Sequence, residues 1–520
     1  MSLARRGTHA SRTVSHLLLA GHNPLSPPSG DRRQSRSNPS LAPVPFPTWL
    51  AQLGRERDTY DGPTLVTSVA SSAGHSLVAY RNYSGVDRVV ALGRNESGQL
   101  GIGFASQEPT RGLVEAFEGE RVLKVATAVQ ASYLLVQLDK SRNRLYSFGN
   151  LSRGRLGLPH LYSRSPDDLD DGDYAPDPVA RIVPRATAIV DAVDEDAFGQ
   201  IVDVRTGYEH CVVLTESGDV FATGCNTDGQ LGLGTSDDAY AFTRVPIPDW
   251  IRDREGGVLR VVAGADTTGV ITHSGKLFTW GNSEYAQAAH GRTIDQLASP
   301  LEVAHETFLD TGGARRIVDY QCGGSFGVLL DDRHNVYTTG YGALGLARSP
   351  EEEDDRTRFN PVPTLVPTLA ASVTGAEVTR IRAAYGYAAA IADRRPRPGP
   401  SRSASPARGP RMWTWGVNSE FGRLGLGTTA RGRGTSRGDN SNRALRVEHA
   451  VDAPREVELP VRELGLDADD DHHHDGGGGE SASEWEIGAV ELGDEAMWVE
   501  LREKVEVRQE EGILDERARE

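Results

Sequence analysis

Val220–Gly234 reads VFATGCNTDGQLGLG. An apolar run stops at Gly224, a polar turn follows, and Gln230-Leu231-Gly232 closes the segment. Just upstream lies a second apolar run, Cys211–Leu214, with Ser217-Gly218 between the two, so the pair reads as a hairpin. The same design recurs in both directions along the chain. VVALGRNESGQLGIG ends its run at Gly93, LYSFGNLSRGRLGL at Gly149, LFTWGNSEYAQAA at Gly281, VYTTGYGALGL at Gly340 and MWTWGVNSEFGRLGLG at Gly416. Successive glycines are 56, 75, 57, 59 and 76 residues apart, a base period near 57 with two insertions.

A second element precedes each of these: an apolar run, a small residue and another apolar run. The small residue falls at Ser72, Ala128, Gly207, Gly264, Gly323 and Ala384. A seventh copy, AVELGDEAMWVEL around Gly493, follows the last glycine segment. Repetition at this period, with short and nearly continuous apolar runs, fits small sheets that must bury both faces. Radial stacking meets that need and protects the sheet edges. The expected fold is all-β, a seven-bladed β-propeller over residues 45–508, closed by both chain ends. PFPTWLAQLG (Pro45–Gly54) is the expected partner of the Gly493 copy.

The formal charge of −17 is unevenly spread. Residues 1–50 hold six Arg and one Asp, whereas residues 451–520 hold 23 acids and 7 bases. The first 40 residues are Arg- and Ser-rich and acid-poor before Asp31, the composition of a removable, disordered mitochondrial address. No run approaches the 18 or so apolar residues of a membrane span, which leaves at most peripheral association with an inner membrane. Cys211, Cys225 and Cys322 form no CxxC pair and read as buried small residues. No Walker loop, HExxH or GxSxG is present. The chain reads as a non-enzyme without cofactor or metal. The run DDDHHHD (Asp469–Asp475) reads as solvated linker.

The repeats resemble those of the regulator of chromosome condensation family, on TWGNSEYAQ, GCNTDGQLGLG and GYEHCVVL. FTWGNSEYAQ (Phe278–Gln287) and QCGGSFGVLLDDRHNVYTTGYGALG (Gln321–Gly345) are similar to the family's mitochondrial exchange-factor branch. The resemblance implies a guanine-nucleotide exchange factor for a mitochondrial, dynamin-like fusion GTPase. It also implies a link to mitochondrial rRNA and ribosome assembly. A non-catalytic scaffold for ribosome or respiratory-complex assembly is the alternative. It further implies that the Gly-x-x-His turns face the GTPase, which nominates His75, Glu209, His210, Asp266 and Asp494. His is replaced at the matching positions Ala131, Thr267, Phe326, Tyr387 and Ala496.

Four insertions are expected to be disordered: residues 159–198, 393–411, 429–443 and 465–483. Residues 509–520 form an acidic tail. The first insertion is acidic. The second carries Arg394, Arg395, Arg397, Arg402 and Arg408, which could meet rRNA phosphates. No aromatics are interleaved, so base stacking is not expected.

Overall fold

The computed structural model describes residues 9–22, 37–44, 46–54, 65–82, 84–114, 120–161, 182–189, 199–304, 315–346, 359–393, 409–419, 422–427, 450–461, 464, 484–494 and 496–508. These residues form seven four-stranded antiparallel sheets arranged as the blades of a propeller. The third blade is typical. Ile201–Thr206 is innermost, followed outward by His210–Thr215, Val220–Gly224 and Ala239–Arg244. The fourth uses Val258–Gly264, Thr267–Thr272, Leu277–Ser283 and Ile294–Glu302 in the same order.

Each repeat glycine sits opposite the first residue of the second strand: Gly93 with His75, Gly149 with Ala131, Gly224 with His210, Gly281 with Thr267, Gly340 with Phe326 and Gly416 with Tyr387. All six have φ between 95° and 125°. A Cβ there would stand 2.2–2.4 Å from the carbonyl oxygen of the residue before that strand. Backbone handedness and close approach together dictate glycine.

The two halves of the repeat are two sides of one joint between blades. A Cβ on Gly232 would meet the Trp280 ring at 2.7 Å, and one on Gly101 would meet Phe148 at the same distance. The Gln-Leu-Gly loop of one blade thus seats the aromatic of the next, and the Gln230 carbonyl accepts Trp280 Nε1–H at 3.0 Å. Apolar clusters lie between neighbours accordingly. Leu77 and Ala79 of the first blade pack with Val125 and Leu134 of the second. Cys211, Cys225 and Cys322 are free thiols buried in these layers.

Closure departs from the sequence reading. The seventh blade runs Glu484–Leu492, Ala496–Arg508, His9–His22 and Ser37–Pro43. His9–His22 pairs with the C-terminal strand at 13 positions, from His9 with Arg508 to Gly21 with Ala496. Gly21, with φ of 95°, is the seventh repeat glycine. Of the Pro45–Gly54 segment, the described residues 46–54 supply no strand; Phe46–Gln52 is a short helix whose Trp49 packs edge-on to Trp498 at 6.5 Å. Leu17–Ala20 are buried, and His9–His22 is paired strand rather than disordered leader. The propeller spans residues 9–508, not 45–508.

Two other boundaries move. Ile182–Ala188, inside the expected acidic insertion, is the outer strand of the second blade. Asp393 pairs with Arg380 at 2.6 Å, and Arg411 opens a strand. Residues 162–181, 190–198, 394–408, 428–449 and 465–483 lie outside the described residues, with all five nominated loop arginines, the Asp469–Asp475 run and residues 509–520. Among the described residues no helix is long and apolar enough to cross a membrane.

Candidate functional site

The inner strands all end on one face, in the turns to their neighbours. Backbone bonds knit these turns around the axis: Val129 N donates to Tyr208 O at 3.0 Å, Tyr208 N to Ala265 O at 2.9 Å and Gly386 N to Gly323 O at 3.2 Å. Tyr208 of the third blade and Tyr385 of the sixth meet over the axial channel, centroids 6.2 Å apart and planes at 43°. Tyr385 is 58% exposed. Tyr285 and Tyr341, 5.6 Å apart, stand further out on this face.

Beside the tyrosines lies a carboxylate group. Glu209 is held by Arg155, with Arg153 Nη1 at 3.8 Å. Arg153 also grips Asp238 through Nε and Nη2 at 2.8 and 3.0 Å. Asp228 accepts Asn282 Nδ2–H at 2.9 Å. Among the described residues the Asp266 carboxylate has only a long contact from Gln230 Nε2, at 3.5 Å. Burial, then Asp228, then Glu209 push its carboxyl up to about 6. Ala265 just before it has φ of 43°, a left-handed turn without glycine.

The nominated residues divide. Glu209, Asp266 and Asp494 belong to this face. His75 and His210 do not: they are 1% and 0% exposed and point sideways into the next blade. His210 Nε2 lies 2.9 Å from Thr268 Oγ1, whose hydroxyl donates to Gln230 O at 2.7 Å. His75 Nε2 lies 2.9 Å from Ser132 Oγ, which donates to Gln99 O at 2.7 Å. Burial holds both imidazoles neutral, at about 3. In the sixth blade Tyr387 replaces His, and its hydroxyl donates to Gly493 O at 2.8 Å in the seventh. The His of the turn is an inter-blade fastener, and a nominated role on the rim is corrected for both.

Sequence reasoning missed Tyr208, Tyr385, Asp228 and the two arginines. Tyr208 and Tyr385 occupy the same turn position two residues before their second strands, a signal visible once the repeats are aligned. No group of three or more metal-ligating side chains occurs among the described residues.

Models of the regulator of chromosome condensation (RCC1) repeat match residues 201–230 and 217–271. The human RCC1-like G exchanging factor-like protein is 26% identical over 391 residues, covering 70% of this chain and 71% of that one. The Arabidopsis thaliana ultraviolet-B receptor UVR8 is 25% identical, covering 70% and 68%. Among solved structures, human WBSCR16 superposes with a TM-score of 0.61 at 21% identity, covering 94% of this chain and 98% of that one. Yeast RCC1 (Prp20), solved with Kap60, gives 0.61 at 17% identity, covering 96% and 91%. These likenesses carry the fold.

Proposed function

We propose that this propeller, whose repeats are those of the regulator of chromosome condensation family, promotes guanine-nucleotide exchange on a GTPase through the face bearing Tyr208, Tyr385, Glu209, Asp228 and Asp266. The carrying observation is the Asp266 group: a half-buried carboxyl raised by burial and by two neighbouring carboxylates, near Tyr208. Such a group gains most when a partner's cation arrives, because the cation relieves both repulsion and desolvation. Exchange needs no bond-making. It needs a surface that competes for the basic groups and Mg²⁺ which hold the nucleotide phosphates. The human relative's name speaks of G exchange, which supports the reading; the matching ultraviolet-B receptor shows that the fold alone does not select it.

In its finer form the partner is a mitochondrial, dynamin-like fusion GTPase, and the Arg-rich N-terminus is the address. An address compatible with this fold acts without losing residues 9–22, which the seventh blade needs. Contact with mitochondrial rRNA through the arginines between 394 and 408 is a separate proposal. The strands flanking that segment end on the face opposite Tyr385, so RNA and GTPase would be held on different faces. A scaffold for ribosome or respiratory-complex assembly is the competing reading, favoured by the purely structural role of His75 and His210.

The test is release of a fluorescent guanine nucleotide from the purified fusion GTPase. Acceleration by catalytic amounts of the full chain supports exchange. Binding without acceleration supports the scaffold.

A further inference from the structure

We propose that the axial cavity is a binding site for a small phosphate ester, and that Glu491 occupies the ligand's place in the free protein. The inference is independent of the GTPase reading. The cavity, about 300 Å³, lies among the inner strands beneath Tyr208 and Tyr385. That volume is at the lower end of small-molecule pockets.

Three cations reach it from three blades: Lys124, Arg205 and Arg382. Their partners leave capacity over. Asp203 is shared by Lys124 and Arg205, with Arg205 Nε at 3.2 Å. Among the described residues Arg205 commits only this nitrogen to hydrogen bonding. Asp319 is occupied by Tyr320 N at 2.9 Å and Gln321 Nε2 at 3.0 Å, with Arg260 Nη1 at 3.4 Å and Arg382 Nη1 at 3.9 Å; Arg382 donates Nε to Val490 O at 3.0 Å and Nη1 to Ile381 O at 2.8 Å, which leaves its Nη2 uncommitted among the described residues. Two carboxylates line the same cavity: Asp494, on the face already described, and Glu491, within the field of all three cations. Yet among the described residues Glu491 closes no ion pair and accepts no hydrogen bond. Thr127, only 7% exposed, also lines the cavity, and its hydroxyl has no hydrogen-bond partner among the described residues.

A purely structural girdle would pair these charges tightly. Here Glu491 stands among two guanidinium groups and an ammonium from separate blades without closing a contact to any of them. Planar guanidinium forks match phosphate oxygens in pairs, and a lysine adds a point charge. A phosphate would supply two negative charges and several acceptors where Glu491 supplies one charge and accepts no hydrogen bond from the described residues.

The probe is pyrophosphate, titrated calorimetrically into the full-length protein. Glu491→Gln removes the competing charge and should tighten binding about tenfold, the size of one screened charge contact. Arg205→Met in that background should abolish binding while the melting transition stays cooperative, because Lys124 keeps Asp203 paired. Equal affinity in wild type and Glu491→Gln overturns the proposal, as does binding that survives Arg205→Met. Absence of heat at millimolar pyrophosphate with Glu491→Gln overturns it too.

Discussion

His210 Nε2 sits 2.9 Å from Thr268 Oγ1, and that contact fastens the third blade to the fourth. It closes a chain that runs on to the Gln230 carbonyl, where Trp280 also donates. Removing the ring leaves a void in a buried joint and takes one of the two hydrogen bonds from the Thr268 hydroxyl. His210→Ala should lower stability by about 2–3 kcal/mol, read from the urea midpoint. A neutral result would mean the joint is held by packing alone.

The same burial gives the protein a defined acid weakness. His75 and His210 take up protons in the fold only near pH 3, whereas the unfolded chain does so near 6.5. Between those values the unfolded state binds more protons, so stability falls as pH drops from about 6.5 towards 3. Each histidine contributes a slope of up to about 1.4 kcal/mol per pH unit in that window. His75→Gln and His210→Gln should each flatten the wild-type curve between pH 7 and pH 5. Parallel curves would contradict the assignment.

Gly281 and Gly342 separate two demands on glycine. Both have positive φ, 95° and 96°. An alanine Cβ at Gly281 would stand 2.2 Å from the Asp266 carbonyl, while at Gly342 it meets nothing within 4 Å. Gly342→Ala should cost about 1 kcal/mol from handedness, and Gly281→Ala about 3 kcal/mol or more. Equal losses in thermal melts would show that the close approach relaxes freely.

Closure by the N-terminal strand makes residues 9–22 indispensable. Ser15 Oγ donates to Glu500, fully buried, at 2.5 Å, and accepts Val66 N–H of the first blade at 3.1 Å. Deleting 1–40 removes one strand of the seventh blade and more than half of another, and should abolish the cooperative transition. Mass spectrometry of the mature protein should find an N-terminus at or before His9. A stable, folded chain beginning at residue 41 would contradict this closure.

The propeller was legible because its repeat is enforced by hard sterics. Glycine opposite the second strand and glycine under the neighbour's aromatic cannot be varied cheaply, so they recur in register. The seventh copy was hidden in plain view as Leu17-Leu18-Leu19-Ala20-Gly21, an apolar run ending in glycine. Its arginine-rich surroundings drew a targeting reading instead, and composition cannot report that a strand finds its partner some 480 residues away. The histidines misled for a related reason. A repeated His in a turn looks like a surface motif, but its ring direction is set by the blade packing beside it. Tyr208 and Tyr385 were missed because the pair exists only across the axis, between the third and sixth blades.

The most direct measurement concerns Asp266. Its carboxyl is raised to about 6, against 3.8 in an ordinary aspartate. The fold therefore loses stability as pH rises through that interval, and Asp266→Asn should stabilise the protein by about 1–2 kcal/mol at pH 7. If the face is a docking surface for a GTPase, the same substitution must weaken function. The account predicts that Asp266→Asn melts higher than wild type yet accelerates guanine-nucleotide release at least about tenfold less, the loss of one buried charge contact. Full exchange activity in a stabilised Asp266→Asn protein would contradict it.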